Sequence, residues 1–89
     1  MKDLDELFDV QESFIRFLRR DFEYTEELTC DNNGKERSIL KVSNGFFVEL
    51  TNQRNVPNSA NLRCWWHTEE NAVEVNSEYE LLYEFMDQR

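Results

Sequence analysis

Residues 24–50 read YTEELTCDNNGKERSILKVSNGFFVEL, and this stretch decides the fold. Tyr24, Glu26, Leu28 and Cys30 alternate with Thr25, Glu27 and Thr29, which is the two-residue period of a strand. The run ends at Asn33-Gly34, a hairpin signal because glycine adopts the left-handed backbone that tight turns require. Ser38, Leu40 and Val42 then alternate with Arg37, Ile39 and Lys41, and a second turn signal follows at Asn44-Gly45. Phe46, Val48 and Leu50 alternate with Phe47, Glu49 and Thr51 in a third strand. Three strands joined by two short turns form a meander.

The elements extend outward from this centre. Before it, Leu4, Leu7, Phe8, Gln11, Phe14, Ile15, Leu18 and Phe22 recur at helical spacing, with Asp3 and Glu6 placed as a capping pair. Phe17 lies off that stripe and either widens the buried face or sits exposed. After it, residues 52–59 hold the only proline, Pro57, and read as a loop. A fourth strand is predicted over 61–68, a turn at Glu69, Glu70 and Asn71, and a short fifth strand over 72–75. Ser77 and Glu80 then open a second helix, whose apolar arc is Leu81, Leu82, Phe85 and Met86 with Tyr79 and Tyr83. The expected fold is α+β: an N-terminal helix, a four- or five-stranded antiparallel sheet and a C-terminal helix, with both helices on one sheet face. Residues 1–89 are expected to form a single domain.

Seven Phe, three Tyr and two Trp predict a packed core, not a solvated acidic tail. No basic start precedes an apolar run, and no stretch reaches the roughly 20 apolar residues of a membrane span. A cytoplasmic protein with free Cys30 and Cys64 is therefore expected, in a host-cell cytoplasm if the gene is phage-borne.

Charge is blocked along the chain. Residues 1–34 sum to −6, residues 35–68 to +3 and residues 69–89 to −6, giving the net −9. Such a surface attracts basic partners and repels nucleic acid and anionic membrane. Asp5, Asp9 and Glu12 stand at i, i+4 and i+7 on the first helix, and Glu80, Glu84 and Asp87 repeat that spacing on the second. Glu23, Glu26 and Glu27 form a third acidic run. Carboxylates on a helical stripe lie about 5–6 Å apart and alternate strand residues about 6.6 Å apart. Both distances are close to the roughly 6–7 Å between consecutive phosphates of one nucleic-acid strand. The plain alternative for any one stripe is the solvated face of an amphipathic helix.

No catalytic or metal constellation is found, and an enzyme is not expected. Cys64 and His67 have odd spacing on a strand, which sends them to opposite faces. One His and two separated Cys do not make a usual zinc site, and Asp31, Asn33 and Gly34 give only a fragment of a calcium loop. No cofactor motif is present, since Gly34 and Gly45 both belong to turns.

The size, acidity and organisation resemble the small acidic DNA-mimic inhibitors made by bacteriophages, among them the uracil-DNA glycosylase inhibitor family. Gln11-Glu12-Ser13-Phe14 is similar to a Gln-Glu-Ser-Ile segment of that family, but it has helical spacing here, and no role is carried over to Glu12. The resemblance implies a class: an inhibitor that occupies the DNA site of a host protein, such as an HU-type nucleoid protein, a repair or restriction enzyme, or a CRISPR nuclease. The expected partner-binding residues are Asp5, Asp9, Glu12, Glu23, Glu26, Glu27, Glu80, Glu84 and Asp87. Immunity protein against a basic toxin nuclease, and non-inhibitory interaction subunit, are the alternatives. On the outer sheet face, Ile39, Phe47 and Trp65 with Arg37, Lys41, Arg63 and His67 are expected to form a homodimer interface, or else Trp65 is covered by the 52–59 loop.

Overall fold

The computed structural model describes residues 3–87 of the chain. Helix α1 (Leu4–Leu18) leads into strands β1 (Tyr24–Cys30), β2 (Lys35–Val42), β3 (Phe46–Gln53), β4 (Asn61–Trp66) and β5 (Val73–Glu74), and helix α2 (Glu78–Met86) follows. The sheet is an antiparallel meander in the order β1-β2-β3-β4-β5, so β1 and β5 are its edges. No helix among the described residues is long and apolar enough to cross a membrane.

Both tight hairpins close on a glycine at positive φ, the form that suits a type I turn followed by one left-handed residue. Gly34 has φ 82° and its amide donates to Asp31 O at 3.1 Å; Gly45 has φ 100° and its amide donates to Val42 O at 3.0 Å. Asp31 Oδ1 also accepts the amides of Asn33 and Lys35 at 2.9 Å, which fixes the first loop. A side chain at Gly45 is blocked twice, by φ and by the His67 ring, whose Nδ1 would lie 2.8 Å from the added Cβ. His67 itself has φ 63°, and this turn ends β4 at Trp66, two residues before the expected limit.

Register fixes which side chains share a face. The rows Leu40, Val48, Cys64 and Ser38, Leu50, Leu62 lie under the helices, while Lys41, Phe47, Trp65 and the row holding Glu49 and Arg63 point outward. α1 is capped by Asp3 Oδ1 on the Glu6 amide at 2.9 Å and buries Leu7, Gln11, Phe14, Ile15 and Leu18. α2 is capped by Ser77 Oγ on the Glu80 amide at 3.1 Å and buries Leu81 and Phe85. Both helices reach the same sheet face: Phe46 of β3 meets Phe14 at 5.9 Å and Phe85 at 5.0 Å between ring centroids. Phe17 does widen the core face, stacking on Phe14 and Phe22 at 6.1 and 6.2 Å although one ring side stays exposed.

Three sequence expectations are corrected here. Leu28 lies on the helix side of the sheet but is 78% exposed, and Leu4 and Phe8 of the α1 stripe are exposed too. α1 packs across β3 and β4, so its first turns and the edge strand β1 leave an open groove between them. The α2 arc is also narrower than its sequence indicated, since Tyr79, Tyr83 and Met86 are exposed.

Candidate functional site

The three acidic sets do not form one surface. Glu12 of α1 and Glu26 of β1 line the same groove beside Leu4, Phe8 and Leu28, a concavity of about 610 Å³. Asp5, Asp9, Glu23 and Glu26 are exposed, and of these four Glu26 lines the groove. Arg19 lies in the field of Glu12 and Glu26, and its guanidinium is held above its ordinary pKa first by a hydrogen bond to Tyr24 and further by those carboxylates. Glu27, one residue on, points to the outer sheet face and pairs with Lys41 at 3.3 Å. Thus the Glu26 and Glu27 pair is divided between the two faces, as strand alternation requires.

Glu80 and Glu84 border a separate concavity with Val73, Tyr79 and Tyr83, at the β5 edge on the far side of the sheet. Glu80 is engaged locally: its Oε1 accepts the Asn76 amide at 3.0 Å and the Ser77 hydroxyl at 3.4 Å. Its position in the stripe is thus explained by helix capping. Asp87 forms the C-terminal boundary of α2, its amide donating to Tyr83 O at 3.0 Å.

The outer face holds a network that the sequence reading missed. Glu49, only 4% exposed, accepts from Arg63 Nη2 and Nε at 2.6 and 2.9 Å and from Arg37 Nε. Arg63 Nη2 also donates to Glu69 Oε2 at 2.8 Å. The signal was present: Glu49 is the sole carboxylate between Arg37 and Arg63, and hairpin register sets it directly across from Arg63. The positive middle segment is thereby largely neutralised in place. Bonding to Arg63 holds the Glu69 carboxyl below its ordinary range, and the Asn52 amide followed by Arg54 does the same for Glu36.

Trp65 also departs from expectation. It faces outward as the register demands, yet it is only 6% exposed. The Phe47 ring stacks on it at 5.5 Å with an interplanar angle of 12°, and the Arg63 guanidinium carbon lies 5.4 Å from its centroid. What that face offers a second copy is therefore the half-buried surface of Ile39 and Phe47.

Burial pushes the Cys64 thiol up to about 12, with the Glu84 charge adding to the shift, so its thiolate is scarce at neutral pH. Cys30 is exposed at the end of β1. Among the described residues, no group of three or more His, Cys, Asp or Glu is arranged to hold a metal ion.

Two predictions arise from the ion pairs. Glu49→Gln is expected to destabilise the fold by about 2–4 kcal/mol, because it removes the charge that two arginines share in a buried position. Both arginines retain some solvent access, which keeps the loss toward the low end. Glu27→Gln, which breaks the exposed pair with Lys41, should cost about 0–1 kcal/mol. Urea midpoints of the two variants check the contrast, and equal midpoints would count against the network.

The pH dependence follows in sign. Glu36 and Glu69 have folded pKa values below the ordinary 4.5, so their stabilisation is present above that value and disappears as pH falls through the lowered ones. Glu69→Gln should lower the neutral plateau of a stability-versus-pH curve and leave its acid end little changed, which flattens the acid limb. An unchanged acid limb would contradict the assignment.

No protein-family model, curated protein or solved structure matches the chain.

Proposed function

We propose that the protein binds a basic DNA-binding protein through its acidic surface and occupies the site that DNA would take. The observation that carries this reading is the meeting of two acidic sets at one groove, with Glu12 from α1 and Glu26 from β1 on its rim. Asp5, Asp9 and Glu23 extend that field, and a net charge of −9 supports it at long range. Glu80, Glu84 and Asp87 stand on the other side of the molecule and serve the field, not the contact. The protein itself is expected to bind neither DNA nor RNA, since the outer-face cations Arg37, Lys41 and Arg63 are already held by Glu49, Glu27 and Glu69.

The test is capture from a bacterial lysate on the immobilised protein, followed by washing with rising salt. The expected catch is a basic DNA-binding protein that leaves the column as salt rises, because exposed charges are screened over about 8 Å at physiological ionic strength. A single partner retained through high salt and indifferent to added duplex DNA would instead mark an immunity protein or an interaction subunit.

A further inference from the structure

The open edge of β1 carries more than charge. Asp31 N donates to Lys35 O at 3.0 Å and Ser43 N to Glu23 O at 2.9 Å, so the odd-numbered residues flanking β1 turn their backbone groups toward β2. An antiparallel ladder alternates these roles. Tyr24, Glu26, Leu28 and Cys30 therefore aim their N–H and C=O groups off the sheet, where no further strand lies. Their side chains fall on the helix face, the face that opens into the groove of Leu4 and Phe8. Leu28, almost fully exposed, is the centre of this arrangement.

From these observations we infer that β1 is a strand-addition site for an extended, basic segment of a partner protein. Main-chain hydrogen bonds to Glu26 and Leu28 supply pairing, and side chains on the groove side of the added strand meet Leu28, Phe8 and Leu4. Charge selects the occupant. Glu12 and Glu26 are in no ion pair among the described residues, and Glu36, also on the groove, is paired with Arg54 at 3.3 Å. A strand that carries Lys or Arg beside its apolar positions finds two carboxylates in the same groove that make no direct ion pair, with Arg19 in their field.

The same glutamates oppose a second copy of this chain in two of its nearest registers. In the fully overlapped antiparallel register of two β1 strands Glu27 faces Glu27, and a shift by one pair sets Glu26 against Glu26 or, in the other direction, Leu28 against Leu28. Like charges directly opposite destabilise a strand pair. In the two registers that oppose like charges the acidic side chains act as edge protection, while they leave the edge open to a cationic strand.

This inference concerns how a partner docks and does not require that the partner bind DNA. The probe is a panel of seven-residue peptides with Val or Ile at alternate positions, Lys or Arg at the others, and blocked ends. Binding is followed by amide NMR shifts of the full chain. The expected result is shifts centred on Tyr24, Glu26, Leu28 and Cys30, slowed amide exchange at those residues, and loss of about tenfold or more in affinity on Leu28→Lys. N-methylation of the peptide amides that face β1 should abolish binding, which separates strand addition from mere charge adhesion. Binding that survives N-methylation, shifts centred elsewhere, or no binding up to about 1 mM would overturn the inference. So would dimerisation of the free chain through β1. Release of a lysate partner by DNA tests the function separately, so either proposal can fail alone.

Discussion

Phe85→Ala is expected to lower the stability of the fold by about 3–5 kcal/mol, the range for deleting a buried phenylalanine. Phe85 is where the layers join. Its ring lies 5.2 Å from Phe14 and 5.1 Å from Phe22, at edge-to-face angles of 79° and 83°. It also meets Phe46 at 5.0 Å, Phe17 at 5.9 Å and Trp66 at 5.8 Å. A single truncation therefore removes five aromatic contacts and leaves a cavity between two helices and the sheet. For a chain of this length the whole folding free energy is about 4–13 kcal/mol, so a loss of that size moves the thermal midpoint by about 15–30 °C. Trp66 reports it, since its ring stacks on Phe85 at 15° and its Nε1 donates to Glu84 O at 3.0 Å. Met86→Ala, one residue away and exposed, should stay within about 0.5 kcal/mol. Matching midpoints for the two variants would show that the cluster does not hold α2.

The second large effect belongs to the surface. Reversing Asp5, Asp9 and Glu26 together to lysine changes the charge of α1 and β1, the elements that frame the groove, by six units and replaces no residue of the buried core. Partner affinity is expected to fall about 100-fold or more at low ionic strength, mostly through slower association, with the deficit shrinking as salt is added. The matched six-unit reversal of Glu74, Glu78 and Glu84 should have a much smaller effect, because those residues belong to β5 and α2, at the opposite sheet edge from the groove. Glu80 is left out of that control since its carboxylate accepts the Asn76 amide. Equal losses from both variants would mean that only net charge matters.

Much of the fold was legible because local rules and tertiary demands agree. The glycines of Asn33-Gly34 and Asn44-Gly45 fix two hairpins, and alternation from Tyr24 to Leu50 then assigns every side chain to its face. Asp3 and Ser77 mark the helix starts by the hydrogen bonds they accept. Coverage was not legible. Leu28 and Trp65 both face where alternation sends them, yet the first is open and the second closed. The difference lies in where α1 crosses the sheet and in how Phe47 and Arg63 pack on a neighbour, neither of which a period encodes. Of the candidate site, the sequence names the acidic residues but not their grouping. Glu12 and Glu26 are 14 positions apart and meet only through the fold, whereas Glu80 matched a stripe by spacing and is engaged at the helix cap. The Arg37, Glu49, Arg63 and Glu69 network required cross-strand register before its charges could be seen to cancel.

The proposal of DNA mimicry is tested most directly by displacement. A labelled duplex is bound to the captured basic partner, and its fluorescence anisotropy is followed as the protein is added. Complete release of DNA near one equivalent of protein is expected, with release weakened by the Asp5, Asp9 and Glu26 reversal. A stable complex in which the partner holds the protein and the duplex together, with anisotropy that does not fall, would contradict it.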